Sequence, residues 1–244
     1  MKIIRSLKNF AAFNLAAEAY LFNESSDEYL LVYVNEPSVV VGANQVINNE
    51  VNVDFCKEQN IQLFRRVSGG GAVYHDLGNL NFSFISNKDI QTLALGSDFL
   101  SPIVSVLSGL NIPVEIGPRK DLWLQGGFKI SGTASHFSKN RILQHGTLLY
   151  NSNIFKLQTS LNSLKKDDTL KGTASVSSPV KNLRSFLLEK DGIAPETQVF
   201  FDEIIQRLGI ELSAEIINFT QDEIFEINKI AYSKFTQVDW TYKK

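Results

Sequence analysis

Arg65 and Arg66 lead through Val67 and Ser68 into three consecutive glycines, Gly69 to Gly71, in the stretch RRVSGGGAVYHDLGNLNFSF, Arg65 to Phe84. Three glycines cost conformational entropy. What they supply is a backbone that lies against a ligand with its amides turned toward it. An arginine beside them offers a planar fork for a carboxylate or a phosphate. Gly-Lys-Ser/Thr does not follow, so the stretch is not a P-loop, and its spacing is not that of a dinucleotide fingerprint opening a helix. Taken alone, the glycines fit a loose turn with solvated arginines equally well.

A second polar stretch, PRKDLWLQGGFKISGTASHFSKNRILQHGTLLYNSN, runs from Pro118 to Asn153 and carries Asp121, Lys129 and His145. By residue type alone Lys129 is a solvated strand lysine and Asp121 a carboxylate in water. The histidines are His75, His136 and His145, and they form no evident ligand cluster. For His75 and His145 a neutral, hydrogen-bonded ring supporting a loop is expected. Cys56 is the single cysteine, which excludes an intrachain disulfide and a cysteine-built zinc site and fits a reducing, cytoplasmic setting. Its short amphipathic surroundings predict a buried, inert thiol.

The elements that hold these residues are short. β-type runs are expected at Tyr29–Val34, Ser38–Val41, Ile61–Val67, Ala72–His75 and Asn79–Ile85, then at Val114–Ile116, Leu122–Gln125, Phe128–Ser131 and His145–Tyr150. Phe10, Phe13, Ala17 and Leu21 recur at helical spacing, which predicts an N-terminal helix burying one face; Asn14 and Glu18 interrupt what would be an apolar signal region. Further helices are expected at Val53–Gln59, Asp98–Leu110, Ile154–Leu161, Glu196–Leu208 and Glu223–Phe235, the last capped by Thr220 with Glu223. Mostly antiparallel strands with helices at the ends indicate an α+β single domain. The 244 residues are 43% hydrophobic, ample for one core, while 24 Lys+Arg against 26 Asp+Glu show no basic field for nucleic acid or a membrane surface.

The glycine stretch resembles the signature loop of lipoate-protein ligases, and two further segments agree. Pro118 to Asn153 is similar to the family's catalytic stretch, and VVVGANQVINNEVN, Val39 to Asn52, to the segment lining its acyl pocket. The resemblance implies the biotin/lipoate protein ligase catalytic fold: mostly antiparallel sheets flanked by helices. It also implies a two-step reaction, in which lipoate or octanoate and ATP, with Mg2+, form an acyl-adenylate whose acyl group passes to a lysine of a lipoyl domain. The family's essential lysine maps onto Lys129. A cation is needed there because a carboxylate must approach an anionic phosphate. Arg66, Gly70, Gly71, Ala72, Val73, Tyr74 and His75 map onto the nucleotide-contacting loop. Asp121 maps onto the aspartate of an Arg-Asn-Asp stretch, with Lys120 at the asparagine position, and is implied to orient the cation or a magnesium ion. Ser177 and Pro179 stand where the family places arginines. Many members continue into a small C-terminal domain, so the resemblance implies a single catalytic domain, residues 1–244, for which a separate accessory chain is an expected partner.

Two other readings remain open on the residues. An ATP-independent octanoyl or lipoyl transferase would need a cysteine nucleophile, and Cys56 lies outside both motif segments. A non-catalytic binder of lipoate or lipoyl domains would account for the changed arginine positions. A biotin-protein ligase lacks support because Gly-Arg-Gly-Arg-Arg-Gly is absent. Gly126 and Gly127 predict a hairpin. With a two-residue turn, Leu124 opposes Lys129 and Asp121 faces away; with a three-residue loop, Gly126 to Phe128, Gln125 opposes Lys129 and Asp121 shares its face. The resemblance implies a shared site, so the longer loop or an equivalent irregularity is expected.

Overall fold

The longest ladder joins β6 (Asn79–Asn87) to β11 (Arg141–Leu149) along nine antiparallel residue pairs. Along β6 the side chains alternate: Leu80, Phe82 and Phe84 enter one core cluster, while Asn81, Ser83 and Ile85 lie on the opposite face. The computed structural model describes residues 1–88, 99–167 and 169–243. Around this ladder it builds a six-stranded sheet in the order β10 (Thr133–Phe137), β11, β6, β2 (Tyr29–Val34), β1 (Lys2–Arg5), β12 (Ile216–Ile217). The β1 pairings are parallel and the rest of this sheet is antiparallel. The expected α+β architecture, mostly antiparallel, is therefore present with a parallel edge.

Helices cover both faces. Leu80, Phe82 and Phe84 pack with Ile103 and Leu107 from α4 (Ser101–Gly109), Leu183 and Leu187 from α6 (Leu183–Asp191), and Phe201 and Ile204 from α7 (Thr197–Glu211). On the opposite face, Leu31, Ile85 and Leu143 pack under α1 (Ala11–Glu24), which is itself covered by Ile227 of α8 (Gln221–Ile230) and by Phe235 of the π-helical turn after it. Helix α1 is buried on nearly every side rather than on one face. Its small residues Ala11, Ala12, Ala16 and Ala17 let sheet and helix close on it together, and Asn14 and Glu18, expected only to break an apolar run, are both fully buried.

A smaller sheet orders β4 (Gln62–Arg65), β3 (Ser38–Val41) and β5 (Val73–His75), with β3–β4 parallel and β3–β5 antiparallel. With α2 (Ile47–Glu50) and α3 (Val53–Glu58) it forms a third cluster that encloses Cys56. A third sheet is β7 (Val114–Ile116), β8 (Leu122–Leu124) and β9 (Phe128–Ser131). Chain order then runs through α5 (Ile154–Ser160) and ends at α9 (Val238–Thr241). The predicted start of the fourth helix, Asp98, lies outside the described residues; Pro102 sits in its first turn, where a missing amide costs little. The Thr220–Glu223 capping box is formed in both directions. Strands β1, β10 and β12 and helix α6 carry no periodic signal strong enough to have been read.

Candidate active site

Strand β4 delivers Arg65 and Arg66 to the glycine loop, and both side chains are buried rather than solvated. Arg66 Nη2 donates to the carbonyls of Gly69 (2.6 Å) and Gly71 (2.8 Å), Nη1 to Val40 O (3.0 Å) and Nε to Ser68 Oγ (2.9 Å). The guanidinium is thus largely committed to the loop it precedes. Burial lowers it to about 10, with Glu18 and Tyr33 opposing, so it stays cationic at neutral pH. Gly70 has φ +85°, a left-handed conformation that side chains disfavour. A Cβ at Gly42 would stand 2.2 Å from Gly70 O, so the two turns touch backbone to backbone only because residue 42 is glycine. Ala72 N donates to Ser175 Oγ (3.1 Å), whereas the amides of Gly70 and Gly71 meet no acceptor among the described residues.

Behind the loop runs a buried chain that the motifs do not reveal. Ser68 Oγ meets His145 Nε2 at 2.7 Å, and His145 Nδ1 meets Glu18 Oε1 at 2.9 Å. Glu18 Oε1 also accepts from Tyr33 OH (3.0 Å) and from Ser83 Oγ. Burial works to raise the Glu18 carboxyl; His145, Ser83 and Tyr33 outweigh it and hold it below its ordinary value. The sequence signal for this group was the charged residue inside an apolar helix. His145 therefore supports the loop as expected, as one link of a network anchored in α1. His75 is also buried, and its neighbourhood pushes it down to about 3, burial first and Arg66 second, so the ring is neutral.

Two adjoining cavities open on the glycine loop. One, about 310 Å³, is lined by Leu15, Tyr33, His75 and Asn81 and by Arg119, Asp121 and Lys129 among others. The second, about 610 Å³, is lined by Tyr74, Asn79, Leu157, Leu161 and Ser163 among others. Lys129, Ala72, Val73, Gly132, Thr147 and Ser175 line both. Of the residues expected at the site, Arg66, Gly70, Gly71 and His75 border the smaller cavity, Ala72 and Val73 both, and Tyr74 the larger. The Tyr74 side chain belongs to the third core cluster. Segment 173–181, not read as part of the site, crosses between loop and lysine: Thr173 N bonds Asn44 O, Lys129 N bonds Pro179 O (2.8 Å) and Lys181 N bonds Lys129 O. Ser177 lines the larger cavity on this segment.

Lys129 Nζ sits 3.0 Å from Asp121 Oδ2, and Trp123 Nε1 donates to Asp121 Oδ1 at 2.9 Å. Burial opposes ionisation of Asp121; Trp123 and Lys129 overcome it and leave the carboxyl below its usual value. The two residues share a face, as the longer hairpin loop requires, but in a different register. The three loop residues are Gln125 to Gly127, with Gly126 and Gly127 both at positive φ, so Trp123 rather than Gln125 opposes Lys129. A shift between Leu122 and Trp123 then leaves Ile130 as an extra residue. Lys120, in place of an asparagine, has φ +58°. Asparagine tolerates that backbone better than lysine does. Cys56 is buried, lines neither cavity, and has its thiol pushed up by burial.

Comparison with known proteins gives one family. The model of the lipoyl protein ligase A/B catalytic domain matches residues 11–209. Lipoate--protein ligase 1 of Staphylococcus aureus is 37% identical over 231 residues, covering 94% of this chain and 69% of the relative. Among solved structures, Plasmodium falciparum LipL1 in complex with lipoate superposes with TM-score 0.79 at 26% identity, covering 100% of this chain and 74% of that one. Lipoate-protein ligase A bound with ATP superposes with TM-score 0.77 at 24% identity, covering 99% of each chain, which is a likeness of fold.

Proposed function

The chain belongs to the lipoyl protein ligase A/B catalytic-domain family, and from that premise we propose that it activates lipoate with ATP and passes the lipoyl group to a lysine of a lipoyl domain. The observation that carries this reading is the position of Lys129 at the junction of the two cavities. An acyl chain fits the smaller cavity, which is apolar along Leu15 and Val40, with its carboxylate toward Lys129. The nucleotide belongs to the larger one, with its α-phosphate at the junction that Ala72, Val73 and Lys129 line from both sides, next to the free amides of Gly70 and Gly71 on the smaller cavity.

In the first step a carboxylate oxygen attacks the α-phosphorus, an O–P bond forms, and the bond to the bridging oxygen breaks with release of pyrophosphate. In the second, the acceptor amine attacks the acyl carbon, AMP leaves, and the nitrogen loses a proton. Both steps concentrate negative charge where Lys129 stands, and a fixed ammonium stabilises that charge more than it stabilises the separated ground state. Asp121 touches Lys129 and acts as its positioning residue. Among the described residues no three of His, Cys, Asp and Glu gather to hold a metal. Magnesium would arrive with the triphosphate. Closure over the adenylate by an accessory chain remains part of the proposal. No helix of the described residues is long and apolar enough to cross a membrane.

The experiment is direct: purified chain, lipoate, ATP, magnesium and a lipoyl domain, with the acceptor weighed by mass spectrometry and parallel tubes lacking ATP or carrying Lys129→Ala. Lipoyl addition that needs both ATP and Lys129 is the expected result. Addition from an acyl-carrier thioester without ATP would favour the transferase reading, against which the buried, remote Cys56 stands. Binding without any addition, with or without added accessory protein, would leave only a binder.

A further inference from the structure

Lys120 has a backbone that the fold holds against the residue's own preference. Its φ is +58°, where a side chain crowds the following carbonyl, and lysine, unlike asparagine, has no short polar group to bond locally in return. Three hydrogen bonds keep it there: Lys120 N donates to Gly117 O at 3.0 Å, Gly117 N to Asp121 O at 2.8 Å, and Thr133 Oγ1 to the Lys120 carbonyl. A Cβ at Gly117 would stand 2.3 Å from Asp121 Oδ1, so this turn is pressed onto the carboxylate that meets Lys129. Held so, the Lys120 side chain is exposed, lines neither cavity, and makes no hydrogen bond or ion pair among the described residues. A strained backbone fixed by its surroundings and ending in a free charge points to a use outside the fold.

Its neighbours form the opening of the site. Arg119 lines the smaller cavity with its side chain 45% exposed, and Val176 lines both cavities at 65%. Residues that are at once cavity wall and outer surface mark where the site meets solvent. Arg119 Nη2 reaches Ser178 Oγ at 3.2 Å and Lys129 N reaches the Pro179 carbonyl at 2.8 Å, so the turn 117–120, Lys129 and segment 173–181 share one rim. Beside Lys129 stands exposed Phe128, with the Lys181 ammonium 5.4 Å above its ring. The turn GPRK, the hairpin tip QGGFK and the segment TASVSSPVK hold Arg119, Lys120, Lys129 and Lys181 and not one acid. The carboxylates that reach them are Asp121, buried against Lys129, and Glu189, which holds Lys181. A chain of net charge −2 thus presents positive charge around exposed apolar side chains at its own opening.

Building on the lipoyl-transfer reading, we infer that this basic rim, with Lys120 as its free cation, receives an acidic face of the acceptor domain beside the domain's target lysine. Contact at the rim is forced by reach. A lysine side chain spans roughly 6 Å from Cα to Nζ, so the acceptor backbone must come down on the rim for its amine to meet an acyl carbon beside Lys129. Phe128 and Val176 are then covered, while Lys120 and Arg119 meet carboxylates around them, which speeds encounter and fixes orientation.

The test supplies synthetic lipoyl-AMP as the acyl donor, so that transfer alone is measured, and follows KM for the lipoyl domain. Lys120→Asn should raise that KM about threefold and Lys120→Glu about tenfold, with kcat and KM for lipoyl-AMP unmoved. Raising ionic strength from about 0.01 to about 0.15 M contracts the screening length from about 30 to about 8 Å, which should raise the wild-type KM and leave that of Lys120→Glu nearly flat. A lipoyl domain with an acidic residue beside its target lysine changed to lysine should lose affinity for the wild type and regain it with Lys120→Glu. Wild-type KM for the domain in Lys120→Glu overturns the inference. So does a rise confined to KM for lipoyl-AMP, which would give Lys120 to the nucleotide instead. No transfer from lipoyl-AMP at any domain concentration would overturn the ligase reading itself, and this inference with it.

Discussion

Asp121→Asn removes the negative charge that Lys129 meets at 3.0 Å and Arg119 at 3.7 Å, and the nearer partner should feel it most. Asp121 is 2% exposed and the Lys129 side chain 20%, with 3.0 Å between their charged atoms. At an effective dielectric of 20 the bare attraction at that distance is about 5 kcal/mol, and desolvation of both partners offsets most of it. The asparagine keeps the shape and keeps an oxygen for Trp123 Nε1, so the net loss is the charge-assisted part alone, about 1–2 kcal/mol, with water reaching the ammonium from its open side. For a chain of this size the melting temperature should fall by roughly 2–8 °C. Activity should fall further, because an untethered lysine samples rotamers that miss the reacting carboxylate; displacement of that kind costs up to about 100-fold. The assay is lipoyl transfer measured as kcat/KM beside thermal unfolding, with Lys129→Ala and the double variant completing a cycle. If Asp121 works through Lys129, the double variant is no slower than Lys129→Ala. Additive losses, or Asp121→Asn with wild-type kcat/KM, would refute the positioning role.

Gly70→Val should weaken binding of a non-hydrolysable lipoyl-adenylate mimic at least about tenfold by calorimetry, beyond a stability cost of about 1–2 kcal/mol for φ +85°; wild-type affinity would contradict the loop's contact with ligand. Glu18 contributes through a carboxyl whose folded value is lowered, so its stabilisation is present above the ordinary glutamate value of about 4.3 and is lost as pH falls through the folded value. Glu18→Gln should therefore flatten the acid limb of stability against pH while costing about 2 kcal/mol at neutral pH, and an unchanged acid limb in denaturant titrations would be evidence against the network. Lys120→Asn should raise the melting temperature by about 1–4 °C by relieving a left-handed lysine, and a drop would show that the lysine side chain contributes something its exposed position conceals.

The glycine loop, Lys129 and Asp121 were singled out by the family resemblance, since by residue type alone the glycines fit a loose turn and Lys129 a solvated strand; the shared face of Lys129 and Asp121 followed from a Gly-Gly turn whose loop length sets a face. The exact hairpin register was not legible, since loops starting at Gln125 and at Gly126 give the same parity and differ only in the pairing that packing selects. Helix α1 was read from its 3.6-residue period, but that period reports which residues are apolar, not how many neighbours close on them. Its burial on all sides arises from β2, β6, β11 and the terminal helices meeting it at once. The roles of Glu18 and Asn14 were out of reach for the same reason. Each is defined by partners up to 127 residues away in sequence, and a single chain read linearly carries no sign of such pairings.

The two arginines that suggested anion binding serve that end indirectly. Arg66 draws the carbonyls of Gly69 and Gly71 inward. Arg65 does the same on the other side of Gly42, donating to Gly42, Gln45 and Thr241 carbonyls at 2.8 to 2.9 Å. A peptide whose C=O is held on one side turns its N–H to the other, so fixing the Gly69 carbonyl presents the Gly70 amide outward to oxygen, and fixing that of Gly71 turns the Ala72 amide to Ser175 Oγ. Had the arginines met the anion themselves, two long side chains would have to be ordered on binding, and their entropy would count against affinity. Buried in the scaffold, they are ordered before any ligand arrives. That leaves Lys129, a fifth exposed, and Arg119, both beside Asp121, as the cavity-lining cations free to follow charge through the reaction, while Gly70 is kept glycine by its φ of +85° and by the Arg66 guanidinium packed against it.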